Sequence, residues 1–202
     1  MFRTAAILVA SALVGSASTY AQELTPGPGI VEATVIPGGA CFFQSKNAAP
    51  SFGNYGLGAG VTYNINRMFG VEGDFAGMIA TTSDLQFGTL NHNTKAPNAL
   101  NYNVSAVVYP IRWGAAFPFI AGGIGGLTVF ERVGAGVNSD ANFFTGNVGG
   151  GVKWYAPNSR WGLRGDYRFL IIKSNSDAGS FFGTDTRYGH RLFAGFIVNA
   201  AR

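Results

Sequence analysis

The sequence predicts an all-β fold: an eight-stranded antiparallel up-and-down transmembrane β-barrel. Three observations carry that expectation. The stretch Trp161-Gly-Leu-Arg-Gly-Asp-Tyr-Arg-Phe-Leu-Ile171 separates into two faces when every second residue is read. Trp161, Leu163, Gly165, Tyr167, Phe169 and Ile171 form an apolar and aromatic set, while Arg164, Asp166 and Arg168 share the other set. Alternate strand residues point to opposite faces, so one face seeks hydrocarbon and the other carries charge. The second observation is an export signal at the N-terminus. The third is a regular exchange of short and long connections along the chain.

The N-terminus has the three parts of a secretory leader. Met1-Phe-Arg3 is a short basic start, residues 5–17 are apolar, and Thr19-Tyr-Ala21 offers small residues for cleavage. Residues 1–21 are therefore expected to be a signal peptide cleaved after Ala21, with residues 22–202 forming the barrel. The apolar run is shorter than the about 20 residues that a spanning helix needs. Charged residues make up 12% of the chain and the formal net charge is +4, with no run of Lys or Arg. That excludes a basic footprint for nucleic acid. Cys41 is the only cysteine, so no intrachain disulfide can form. It reads as a small, half-buried apolar residue. Residues 113–130 are uncharged but hold Pro118 and five glycines, which disfavour a helix.

The exported part reads as strand after strand. The first segment, residues 30–44, is expected to bend at Pro37-Gly38-Gly39. In the second, 51–64, Tyr55, Leu57, Ala59, Val61 and Tyr63 alternate with Gly56, Gly58, Gly60, Thr62 and Asn64. In the third, 69–83, Phe69, Val71, Gly73 and Phe75 alternate with Glu72, Asp74 and Ala76. In the fourth, 98–109, Leu100, Tyr102, Val104, Ala106 and Val108 oppose Asn101, Asn103, Ser105 and Val107. The fifth, 117–132, is glycine-rich, and its faces do not separate. The sixth, 141–155, sets Phe144, Val148, Val152 and Trp154 against Thr145, Asn147 and Lys153. The seventh is 161–173. The eighth, 185–201, sets Tyr188, Leu192, Ala194, Phe196 and Val198 against Arg187, Gly189, Arg191, Gly195 and Asn199.

Connections after the second, fourth and sixth segments are short: 65–67, 110–116 and 156–160. Those after the third, fifth and seventh are longer and polar: 84–97, 133–140 and 174–184. Short turns at one end and longer loops at the other are the pattern of outer-membrane barrels. Tyr63, Phe69, Tyr109, Trp113, Trp154, Tyr155 and Trp161 lie beside the short turns. They are expected to form an aromatic girdle at one membrane boundary, since such rings suit headgroup depth. Tyr55, Tyr102, Phe144 and Tyr188 would contribute to the other. Leu163, Tyr167, Phe169, Leu192 and Phe196 should face lipid.

The opposite face becomes the lumen. Glu72, Asp74, Lys153, Arg164, Asp166, Arg168 and Arg191 would share it, three acids against four bases. An eight-stranded interior is about as wide as its own side chains. Charges so confined must pair, because isolated ones are costly. Inward glycines such as Gly56, Gly58, Gly60, Gly149 and Gly151 leave room for long arginines. The network reads as a salt-bridged plug, with an ion path as the alternative.

The leader, the eight segments, the Gly-x-Gly interiors and the closing stretches Gly149-Gly-Gly-Val-Lys-Trp-Tyr155 and Trp161-Gly-Leu-Arg-Gly-Asp-Tyr-Arg168 resemble the small outer-membrane β-barrel proteins. These are of the opacity-protein and OmpA transmembrane-domain type. The resemblance covers nearly all of the exported part. It implies a monomeric barrel in the outer membrane of a diderm bacterium, in contact with outer-membrane lipid and lipopolysaccharide and handled by the barrel assembly machinery. Such barrels usually end in an aromatic residue, whereas this chain ends Phe196-Ile-Val-Asn-Ala-Ala-Arg202. Phe196 is the nearest substitute. No periplasmic peptidoglycan-binding domain is expected.

His92 and His190 are the only histidines, and neither has a ligand partner at metal spacing. His190 reads as a polar residue at the outer rim. A lipid A deacylase would need a Ser-His-acid set, and Tyr188-Gly-His-Arg-Leu192 supplies no serine two residues on. Ser180 and Asp185 lie in or beside the preceding loop. Gly122–Gly126 and Gly149–Gly151 lack the Lys-Ser/Thr and the helix of a phosphate-binding loop. No catalytic residue, metal site or cofactor is expected. The expected role is a non-enzymatic structural or loop-mediated interaction barrel. The alternatives are a small channel, a lipid A-modifying enzyme, and a soluble ligand-binding barrel.

Overall fold

The computed structural model describes residues 26–44, 51–81, 85–87, 90–92, 96–133, 137–175 and 185–200. The expected leader, residues 1–21, and Ser180 lie outside the described residues. Eight long strands form one closed sheet. They are β1 (Val31–Phe43), β2 (Phe52–Asn64), β3 (Phe69–Ala80), β6 (Asn98–Val108), β7 (Ala116–Val133), β8 (Val137–Tyr155), β9 (Trp161–Ile172) and β10 (Arg187–Ala200). Neighbours in the sheet run β1-β10-β9-β8-β7-β6-β3-β2, and every pair is antiparallel. The first strand pairs with the last, so the barrel has no free edge along its body. Closure matters because an open edge cannot be satisfied in hydrocarbon.

The register breaks where the sequence expects a bend. On β1 the pairing with β10 shifts between Val35 and Gly38, and the pairing with β2 shifts between Ile36 and Gly39. Pro37 has no N–H to give a ladder, which confines it to such bulges. Gly39 lies so close to the Leu192 carbonyl and the Phe193 ring that a Cβ there would collide with both.

Two connections differ from expectation. Part of the loop after β3 is itself a hairpin, β4 (Leu85–Phe87) with β5 (Leu90–His92). His92 is in β5. The polar segment 133–140 is mostly not loop: β7 and β8 stay paired out to Val133 opposite Val137. These strands have 18 and 19 residues, against 11–14 for the other six. Polarity suggested a loop, but Val133 and Val137 continue a ladder that already had its register.

The pleat sorts the side chains as the two-residue period requires. Leu163, Tyr167, Leu192 and Phe196 are exposed on the outside, and Phe169 is half-buried there. β7 resolves as well: Ile120, Ile124 and Phe130 point out, while Phe117, Phe119, Ala121, Leu127 and Val129 point in. No helix among the described residues is long and apolar enough to cross a membrane. Hydrophobic residues cover the outer wall, so this barrel is inside out relative to a soluble one.

Candidate functional site

The lumen is the candidate site. It is filled in layers from the short-turn end to the loop end. The floor centres on Glu32 of β1. Lys153 donates to Glu32 Oε2 at 2.5 Å and to the Tyr109 hydroxyl at 2.8 Å. Tyr155 and Asn64 donate to Glu32 Oε1 at 2.7 and 2.9 Å. The middle layer centres on Glu72. Arg164 grips it bidentately at 2.5 and 2.9 Å, while Arg168 and Thr62 each add a bond at 2.9 Å. Asp166 accepts from Arg164 and, at 3.0 Å, from Arg168 Nε. Arg168 also donates to Asn147 at 3.0 Å. In the third layer Arg191 donates to Asp74 at 2.6 Å and to Asn101 at 3.0 Å.

These positions follow from strand parity. Glu72 and Asp74 are two apart on β3, and Arg164, Asp166 and Arg168 are spaced by two on β9, so each set shares the inward face. β3 and β9 stand across the interior from one another in the strand order. Glu72 therefore meets Arg164 and Arg168 through the lumen, while Asp166 pairs with the same two arginines along β9. The bidentate Arg164 fork is the strongest geometry available to such a pair.

Apolar side chains close the network above and below. On the loop side lie Phe43, Phe52, Met78, Leu127, Val129, Phe143, Leu170 and Ile172 in one cluster. Around the floor lie Val107, Phe117, Phe119, Ala121 and Ile197. Aromatic faces also meet the cations: Phe119 lies 4.8 Å from the Arg164 guanidinium and Phe193 4.8 Å from that of Arg191. Cys41 is fully buried in the loop-side cluster, deeper than its half-buried reading.

All seven expected lumen residues, Glu72, Asp74, Lys153, Arg164, Asp166, Arg168 and Arg191, point inward and pair. The sequence reading missed Glu32. With it the described network holds four acids and four bases. The signal was present, since Val31, Ala33 and Val35 alternate with Glu32 and Thr34.

The girdle needs one correction in placement. Tyr63, Phe69, Trp113, Trp154 and Trp161 are exposed on the outer wall near the short turns, and Trp154 and Trp161 meet edge to face at 6.0 Å. Tyr109 is 2% exposed and turns inward, as does Tyr155. Each has a hydroxyl that serves the Glu32–Lys153 pair, and a buried tyrosine hydroxyl seeks such a partner. Tyr55, Tyr102, Phe144 and Tyr188 are exposed nearer the loop end.

His190 is half-buried on the outer wall. Its Nδ1 lies 2.8 Å from the Tyr167 hydroxyl and its Nε2 lies 2.9 Å from Gln44 Nε2. Both ring nitrogens are thus engaged by groups other than a serine or an acid. Among the described residues no three His, Cys, Asp or Glu side chains cluster as a metal site.

The family described as "Outer membrane protein beta-barrel domain" matches residues 7–189. No curated protein matches the chain. Among solved structures, Neisserial surface protein A is 17% identical, with 84% of this chain and 95% of that one covered and a TM-score of 0.58. The N-terminal β-barrel domain of Pseudomonas aeruginosa OprF is 12% identical over 85% of this chain and 98% of that one, TM-score 0.51. Pseudomonas aeruginosa OprG is 14% identical over 87% and 98%, TM-score 0.51. At these identities the structural likeness speaks for the fold.

Proposed function

The chain belongs to the outer membrane protein β-barrel domain family, and from that premise we propose that it is a non-enzymatic structural or loop-presenting barrel whose lumen is plugged. The observation that carries this reading is the ion-pair network of the lumen, in which, among the described residues, four acids pair with four bases inside the wall. A conducting pore needs a continuous file of water, and buried charges matched to each other leave little for water or ions to solvate. The apolar clusters on both sides of the network support the same reading. In this reading the barrel is a monomer of the outer membrane. It is exported by cleavage after Ala21, inserted by the assembly machinery and surrounded by lipid and lipopolysaccharide. Its specific contacts are made at the loop end.

Single-protein conductance in a planar bilayer tests the proposal. The refolded full chain should give no steady open level. A large, steady conductance would overturn the plug and favour a small channel. N-terminal sequencing of the exported protein should begin at Gln22.

A further inference from the structure

Polar side chains bonded to one another are unusual on a surface that faces lipid, because hydrocarbon offers them nothing. The outer wall over β9, β10 and the end of β1 carries such a chain. Gln44, His190 and Tyr167 run diagonally across three strands, joined at 2.9 and 2.8 Å. Phe169 packs edge-on against the imidazole at 5.4 Å and stacks on Tyr188 at 5.6 Å. Lys173 is exposed on the same outward parity, two positions above Ile171, the partner of Tyr188.

Depth and chemistry together define the occupant. Val198 pairs with Trp161 in the lower girdle, and His190 stands eight positions further along β10. At ~3.4 Å per residue and ~40° of tilt, that is about 20 Å higher, near the top of a band about 25 Å tall. Lipid headgroups begin there. The unspent hydrogen-bonding groups are mostly donors. Gln44 donates its N–H to Nε2, so Nδ1 carries the proton and donates to the Tyr167 oxygen. The Tyr167 O–H then points outward. Among the described residues, the Tyr188 hydroxyl and the Lys173 ammonium make no hydrogen bond or ion pair. The unspent acceptors are the Gln44 side-chain oxygen and the tyrosine oxygens, none of them charged, whereas Lys173 brings a full positive charge. Tyr167 stands below His190 and Lys173 above it along β9, so the set spans a headgroup rather than one atom, and a cation among hydroxyl donors over that span matches the phosphates of a lipid headgroup.

We propose that the β9–β10–β1 outer face, through Tyr167, Lys173, Tyr188 and the His190–Gln44 pair that orients Tyr167, binds the phosphorylated headgroup of an outer-leaflet lipid. This rests on the proposed outer-membrane location, with the short turns on the periplasmic side and the longer loops outside, as in such barrels.

The test uses the refolded full chain in phosphatidylcholine nanodiscs carrying either bis-phosphorylated lipid A or the same lipid A stripped of phosphate. Native mass spectrometry reads the lipid retained. Wild type should retain the phosphorylated form about tenfold better, the scale of a charge-assisted hydrogen bond. Tyr167→Phe and Lys173→Gln should each lose most of that preference, and His190→Leu should lose it without losing the fold. Tyr102→Phe, an exposed tyrosine elsewhere on the wall, should retain it. Heat-modifiable migration reports insertion for each variant. Equal retention of the two lipids by inserted wild type, or an unchanged preference in Tyr167→Phe, would overturn the site and leave the barrel reading intact. Displacement by millimolar inorganic phosphate would also overturn it, because the site would then serve a free anion. A chain that fails to insert at all would count against the barrel reading instead.

Discussion

Lys153 on β8 and Glu32 on β1 meet across the barrel interior, Nζ to Oε2 at 2.5 Å, although 121 residues separate them in sequence. Both side chains are fully buried. Removing one partner strands the other in a low-dielectric interior, which costs about 3–5 kcal/mol, whereas replacing both by apolar residues is often near neutral. Glu32→Ala should therefore lower urea stability in vesicles by that amount. Glu32→Leu combined with Lys153→Met should recover most of it. If the double variant is as weak as the single one, the pair matters for packing rather than charge.

Leu192 tests the outer face. It is 57% exposed and lies six positions above Val198 on β10, near the middle of the band. An arginine at mid-membrane on a lipid-facing site costs about 2–4 kcal/mol, and near the boundary about 0–1. Leu192→Arg should thus unfold at clearly lower urea than Val198→Arg. Equal midpoints would place these residues at similar depth or out of lipid.

Glycines on the two faces should respond oppositely. A Cβ on Gly151 would collide with the Gly165 carbonyl and approach the Phe119 ring to 2.9 Å. Gly165, outward on β9, has nothing within 4 Å of its would-be Cβ. Gly151→Ala should cost about 1–3 kcal/mol through overpacking. Gly165→Ala should be neutral or slightly stabilising, because it removes backbone freedom from the unfolded chain. Paired unfolding curves would decide, and a neutral Gly151→Ala would mean that the strands can separate there at little cost.

The wall of this barrel was far more legible in the sequence than its contents. On β3, β6, β9 and β10 a polar parity faces an apolar one, so each strand states its own orientation. β7 does not: Ala121-Gly-Gly-Ile-Gly-Gly126 offers almost no side chains to compare, and Phe117, Phe119 and Ile120 are apolar on both faces. Only the register against β6 and β8 orients it. Tyr109 failed for a different reason. Position beside a short turn suggests a headgroup anchor, yet which way the ring points depends on parity, and Tyr109 continues the inward set of Ser105 and Val107. Pairing in the lumen was beyond local reading altogether. That Arg164 grips Glu72 while Arg191 takes Asp74 depends on strand order and stagger, which no single segment contains.

Asp166 is the residue on which the plug can be tested from within. It accepts from both Arg164 and Arg168, so Asp166→Ala leaves Glu72 as the only carboxylate bonded to either guanidinium. Two cations would then share one acid in the middle layer. Water is the cheapest way to solvate the excess charge, and the missing carboxylate leaves space for it. The variant should lose about 3–5 kcal/mol of stability and show brief anion-selective openings in a planar bilayer, where wild type stays closed. Asp166→Asn keeps the volume while removing the charge, so it should be selective in the same sense but open less often. Openings of equal frequency and no selectivity in both variants would assign the effect to a loosened wall rather than to unbalanced charge.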